Sequence, residues 1–187
     1  AGSVLELDAA LSPSPSTTRY QLRIGTASGQ PNARLAMQGT ADARCRLRAG
    51  SANGAAPGFI SGSGAVSAEY CDFIGIGDGA QAALELAPAG GYQLSLTQAA
   101  FEDCGALDVT IGAQSTAEFV LKNTTFRGSR GENAAVLRFA PPSNASVRLL
   151  DGNVFDKMVT FDAPAGLTIT NNVFLAGYNA VVRESDR

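Results

Sequence analysis

Five carboxylates, Asp72, Asp78, Glu102, Asp103 and Asp108, crowd a short stretch of the chain. Carboxylates on neighbouring loops are the oxygen donors Ca²⁺ takes. A pair at suitable separation could also serve as acid and base in glycoside hydrolysis, and Asp72 and Asp103 are the pair to test. No bound cofactor is expected, and Ca²⁺ is the one ion such a set would take. The plain alternative is a run of solvated turns. The chain has no His, which removes the commonest general base, the Ser-His-Asp triad and His metal sites. A second constellation is basic. Arg23, Arg34, Arg44, Arg46 and Arg48 lie in the first 60 residues, which carry six Arg against three acids. In 44–48, Cys45 and Leu47 would face inward and the three Arg outward. Guanidinium groups on one face pair bidentately with carboxylate or sulfate, so an anionic glycan is the matching ligand. The competing reading is a solvated outer face.

Three Cys cannot make a full disulfide framework. Cys71 stands two residues before Phe73, and Cys104 three after Phe101. A bridge between them is open in an oxidising compartment, but two small buried thiols are the expectation.

The elements that position these residues follow from a repeat. Segments 66–73, 94–101, 119–126, 147–155 and 167–174 each end on a phenylalanine: Phe73, Phe101, Phe126, Phe155 and Phe174. The Phe-to-Phe spacings are 28, 25, 29 and 19 residues. Within each segment apolar and polar residues alternate, the mark of a half-buried strand. The inward positions read as Val66/Ala68, Leu94/Leu96, Phe119/Leu121, Val147/Leu149 and Leu167/Ile169. A turn follows, and then the Phe re-enters the core. Further strands are expected at 83–86, 107–111, 136–139, 158–161 and 180–182. A unit of this length, with two or three short strands and no helix, is one coil of a solenoid. Stacking puts each Phe beside the next, and Lys122 beside Asp151 on the outside. Residues 1–60 hold strand-like pieces at 4–7, 20–24, 34–37, 44–48 and 58–60, read as irregular N-terminal coils without the Phe. Polar or turn-rich loops are expected at 12–18 and 51–58.

The segment 167–174, echoed by 122–126 and 151–155, resembles the coil of right-handed parallel β-helix proteins, the pectate-lyase-like superfamily. The resemblance covers 65–183 and implies an all-β, right-handed parallel β-helix (β-solenoid) of roughly seven coils, as one domain over 1–187. That fold hosts lyases, hydrolases, adhesins and tailspikes. The family's lyases use Ca²⁺ with a basic residue and its hydrolases use clustered Asp. Neither pattern carries over here residue by residue.

Composition narrows the partners. Apolar residues make up 45% and charged residues 17% of 187, enough apolar content to bury a core. The net charge of −3 argues against nucleic acid. No run approaches the roughly 20 apolar residues of a membrane-spanning helix. With 32 Ala, and 12 Arg against 2 Lys, the usage looks bacterial. The chain reads as a fragment of a longer protein, extracellular, periplasmic or at the cell surface. The functional expectation is a non-catalytic module, a stiff spacer or a binding face for a polysaccharide or surface protein. The alternatives are a polysaccharide lyase or glycoside hydrolase domain, and a module that stacks end to end with other domains.

Overall fold

The computed structural model describes residues 4–7, 21–24, 33–49, 59–88, 93–112, 115–140, 147–162, 166–175 and 180–183. All regular structure among them is strand. The expected loops at 12–18 and 51–58 lie outside the described residues.

The chain begins with β1 (Val4–Leu7) and β2 (Gln21–Ile24) and then repeats a three-strand unit. The first unit is β3 (Arg34–Gln38), β4 (Cys45–Ala49) and β5 (Phe59–Gly62). Next come β6 (Ala65–Glu69), β7 (Cys71–Ile74) and β8 (Leu84–Leu86), then β9 (Gln93–Thr97), β10 (Ala100–Glu102) and β11 (Leu107–Ile111). The unit recurs as β12 (Glu118–Lys122), β13 (Thr125–Arg127) and β14 (Asn133–Phe139), and as β15 (Arg148–Asp151), β16 (Val154–Phe155) and β17 (Met158–Asp162). The last is β18 (Thr168–Thr170), β19 (Val173–Phe174) and β20 (Ala180–Arg183). Every third strand pairs in parallel, giving three sheets. The first is β1-β4-β7-β10-β13-β16-β19, the second β2-β5-β8-β11-β14-β17-β20, and the third runs from β3 to β18. The molecule is an all-β parallel solenoid.

The four turns from β6 to β17 are closed by buried side chains on all three sides. Burial fades outside them, and no residue of β3 or β18 is fully buried. The length-based estimate of roughly seven coils therefore counts rungs, whereas the fully packed solenoid has about four turns.

The core is built from columns. Phe73, Phe101, Phe126, Phe155 and Phe174 stack with ring centroids 4.7, 4.7, 5.0 and 5.3 Å apart. The spacing follows from in-register parallel pairing, which sets each ring one strand separation from the next. Leu47 takes the ring's place on β4, opposite Phe73. Phe174, on the last rung, is only half-buried. A second column inside the third sheet reads Ala68, Leu96, Leu121, Leu150 and Ile169. Ile169 keeps this inward register but is 44% exposed, because β18 has a strand on one side only.

Two expectations need correction. The inward pair in 147–155 is Arg148 and Leu150, not Val147 and Leu149. That segment is one residue longer than its neighbours, and one residue of slip inverts every side chain. Val147 is turned out, 52% exposed, while Arg148 is buried in line with Phe119. Its guanidinium lies 5.4 Å from the Phe139 ring, and Nη1 donates to the Ala140 carbonyl at 2.7 Å. The second point is the place of the Phe. The sequence reading sets it after a turn, whereas each Phe sits on a strand of its own, two to four residues long, which brings the coil to three strands, the upper of the two expected numbers.

The corner between the third and first sheets is made by one left-handed residue per coil. Tyr70, Gln98, Asn123, Gly152 and Asn171 have φ of 50°, 53°, 50°, 67° and 54°. Left-handed backbone costs an ordinary L-residue roughly 1–2 kcal/mol. Each bend also orients an amide toward the next coil: Tyr70 donates to Thr97 O, Gln98 to Lys122 O and Asn123 to Asp151 O. At Gly152 a Cβ would sit 2.3 Å from Asn123 Oδ1, so a side chain there would displace the stacked turn. Just inside the bend runs a polar column. Asn153 accepts from the Thr124 amide at 2.8 Å and donates to Leu121 O and to Asn172 Oδ1. Asn172 in turn donates to Leu150 O. Buried amide groups survive here because each donor and acceptor finds a rung above or below.

A candidate binding cleft at a solenoid corner

The loops from the first sheet to the second differ in length: 75–83, 103–106, 128–132 and 156–157. A short turn between two longer ones leaves a depression. Gly105 on the short turn has no Cβ, and one added there would meet Gln81 O at 2.2 Å. That absence lets loop 75–83 fold down across the next coil. It reaches the coil beyond, where a Cβ on Gly131 would lie 3.1 Å from Gly79 Cα. The result is an open cleft of about 160 Å³ lined by Asp78, Gln81, Asp108, Arg130, Glu132 and Asn133, among others.

Asp78 folds the loop: its Oδ1 accepts from the amides of Ala80 and Gln81, both at 2.8 Å. Gln81 donates to Glu85 at 3.1 Å. Asn133 accepts from the Thr160 hydroxyl at 3.0 Å. Asp108 is held by the Arg138 guanidinium through a short hydrogen bond. Burial raises the Asp108 carboxyl above the usual carboxylate range, and the charge of its register partner Glu85 adds to the rise. Arg138 opposes that shift without cancelling it. Asp108 therefore keeps a proton to higher pH than an ordinary Asp.

The other nominated carboxylates are spent elsewhere. Asp72 pairs with Arg44 Nε at 2.6 Å and with Arg46 Nε at 3.6 Å. Glu102 pairs with Arg127 at 3.6 Å. Asp103 occupies a left-handed turn, φ 51°, with its Oδ1 where a Cβ on Gly128 would go. Asp72 and Asp103 sit one rung and three positions apart, about 10 Å along the strand, with Asp72 at the opposite end of the first sheet. Asp72 thus stands apart from the corner that holds Asp78 and Asp108. Among the described residues no three His, Cys, Asp or Glu side chains converge as a metal would require.

The arginines do not form one stripe. Arg23 lies on the second sheet, Arg34 on the third, and Arg46 and Arg48 on the first. Three sheets face three directions, so no single ligand face gathers all five. Arg44, expected outward, precedes β4 and is partly buried. Its Nη2 donates to Gln98 O at 2.8 Å and to Cys71 O at 3.3 Å, while Nε holds Asp72, so one guanidinium ties three coils.

The expected nearness of Cys71 and Cys104 does not arise. Cys71 lies at the corner between the third and first sheets and Cys104 at the corner between the first and second, so the Phe strand separates them. All three thiols are free, and Cys71 and Cys104 are buried as expected. Burial pushes them up to about 12 and about 11 respectively. Cys71 instead stands opposite Cys45.

Lys122 and Asp151 are register partners on the outer face, with Nζ 3.9 Å from Oδ2. Sequence reasoning missed Gln81, Arg130, Glu132 and Asn133. Their one visible signal was the difference in loop length between consecutive Phe units. No helix among the described residues is long and apolar enough to cross a membrane. Comparison with protein-family models, curated proteins and solved structures returned no match.

Proposed function

We propose that the chain is a non-catalytic β-helix module, a stiff bacterial surface or extracellular spacer that presents a carbohydrate-binding corner. The observation that carries this reading is how the carboxylates are spent. Asp72, Glu102 and Asp108 tie coils together through Arg partners, and Asp78 caps its own loop. Catalysis needs groups free to change partners during a reaction. The corner cleft offers carboxylate, amide and guanidinium groups, the set that hydrogen-bonds sugar hydroxyls. At about 160 Å³ it is smaller than the roughly 300 Å³ at which enclosing ligand pockets begin. It suits the rim of a sugar chain lying on the surface. Kinship with the pectate-lyase-like superfamily belongs to this reading, supported by the parallel coils and by the Asn-bearing turns before Phe126, Phe155 and Phe174.

The second reading is a lyase or hydrolase of that superfamily. The raised carboxyl of Asp108 in the cleft that Asp78 also lines favours it, since an acid that keeps its proton is what glycoside cleavage needs. The test is a panel of neutral and acidic oligosaccharides, screened for binding and for release of unsaturated or reducing ends, with and without Ca²⁺. The module reading expects binding that weakens in Arg130→Ala and Glu132→Ala, and no release. Turnover lost in Asp108→Asn would establish the second reading. Absence of both binding and release would leave the spacer role and remove the carbohydrate corner.

A further inference from the structure

Cys45 opens β4 and Cys71 opens β7, and these parallel strands pair with the two cysteines directly opposite. Their next neighbours Arg46 and Asp72 face outward and Leu47 and Phe73 inward, so both thiols lie on the inner side of the corner. Register partners on adjacent strands lie about 4.8 Å apart. That is inside the roughly 4.4–6.8 Å over which Cα atoms are bridged by a disulfide. The Cys71 Sγ donates to the carbonyls of Glu69 and Met37 at 3.3 and 3.6 Å, and the neighbouring Cys45 adds to the rise that burial gives the Cys71 thiol. Cys71 is 1% exposed, whereas Cys45 is open to solvent in part. Cys104 is out of reach at the other corner, its Sγ donating to the carbonyls of Phe73 and Glu102.

We infer that Cys45 and Cys71 are a dithiol modification site, closed to an intramolecular disulfide by a small-molecule disulfide oxidant. Cys45, the accessible partner, attacks as thiolate on one sulfur of the oxidant and expels one thiolate, forming a mixed disulfide. Cys71 then loses its proton, attacks Cys45 Sγ and expels the second thiolate. Two protein thiols become one S–S bond. The oxidant takes up the two electrons and becomes two thiols, which carry the two protons. The order follows from burial: Cys71 is hard to ionise while Cys45 is a free thiol beside it. Capping Cys45 as a mixed disulfide removes the charge that its thiolate would set beside Cys71. The Arg44 guanidinium, which donates to the Cys71 carbonyl, then favours the Cys71 thiolate. The closed bond would fasten the Arg-bearing β4 rung to the packed turns.

The experiment treats the reduced full chain with oxidised glutathione, then reads intact mass and a non-reducing peptide map. The expected product has lost two hydrogen masses, links Cys45 to Cys71 and leaves Cys104 open to alkylation. Its melting temperature rises by about 10 °C for a loop of this length, and reductant reverses the rise. The rise disappears in Cys45→Ser and persists in Cys104→Ser. A lasting glutathione adduct on Cys45, a bridge to Cys104, or Cys45 and Cys71 both still alkylated would overturn the proposal. Should Cys71→Ser fail to fold, the Cys45→Ser comparison and the peptide map still decide it.

Discussion

Truncating Phe126 tests the whole register of the solenoid at its centre. The ring is 2% exposed and lies between Phe101 at 4.7 Å and Phe155 at 5.0 Å. Phe126→Ala removes the side chain and leaves a cavity, which costs about 3–5 kcal/mol. Two ring contacts disappear as well, each worth roughly 0.5–1.5 kcal/mol beyond area burial. The terms overlap, so about 4–6 kcal/mol is the working figure. In a chain of this size each kcal/mol moves the melting temperature by about 2–4 °C, which predicts a fall of roughly 10–20 °C. Phe174→Ala is the internal control. That ring has a stacked neighbour on one side only and is half-buried, so its loss should cost about half as much or less. The assay is thermal unfolding followed by far-ultraviolet circular dichroism and calorimetry on wild type and both variants. A Phe126→Ala melt within a degree or two of wild type would refute the column argument. So would a Phe174→Ala penalty equal to that of Phe126→Ala.

Asn153→Ala should destabilise by about 2–4 kcal/mol, because it strands the buried Thr124 amide and Leu121 carbonyl; chemical denaturation reads the change. Lys122→Ala should shift the melting temperature by no more than about 2–4 °C, since the Lys122 side chain is exposed and its pair with Asp151 is worth under about 1 kcal/mol; a larger shift would show the pair is not a simple surface contact. Hydrogen bonds from Thr170 and Asn171 lower the Asp151 carboxyl, with Lys122 adding. Its stabilising effect is therefore complete above the ordinary Asp value and lost as pH falls through the lowered one. Asp108 has the opposite sign. Its raised carboxyl makes stability grow as pH drops from the raised value toward the ordinary one, and a pH series of melts on Asp108→Asn should lack that gain. Gly105→Ala should lift loop 75–83 by clashing with Gln81 O, seen as faster proteolysis at 78–82.

The Phe units were legible because the same turn delivers the same large side chain to the same column, and a buried ring tolerates few substitutes. The strands at 107–111 and 4–7 were read to the residue because alternation at period 2 has sharp ends there. The Cys45 relation was missed for a physical reason. Leu47 fills the ring's column on β4, so a search keyed to Phe passes over the rung, although Cys45 precedes Leu47 by the same two positions as Cys71 precedes Phe73. Arg148 was misplaced because alternation alone cannot place the extra residue. A guanidinium reads as outward until a ring and a carbonyl are found to receive it. The arginine stripe failed because nearness along a solenoid chain means a different sheet, whereas nearness in space comes one coil later. The cleft depends on which loops are long relative to their spatial neighbours, and residue types do not encode that directly.

Loop 75–83 makes the mechanics of this rod uneven. A solenoid whose coils touch only their neighbours peels one coil at a time under tension. Here the loop skips a coil, resting on Gly105 and meeting Gly131 beyond it. The skipped coil, β9 to β11, is pinned between the two it separates, and Arg44 adds a similar span toward the N-terminal side. Pulled from its ends, the rod should yield first at its outer rungs in small steps. The braced middle should then give way in one long rip, so that the segment carrying the cleft is the last to lose its shape.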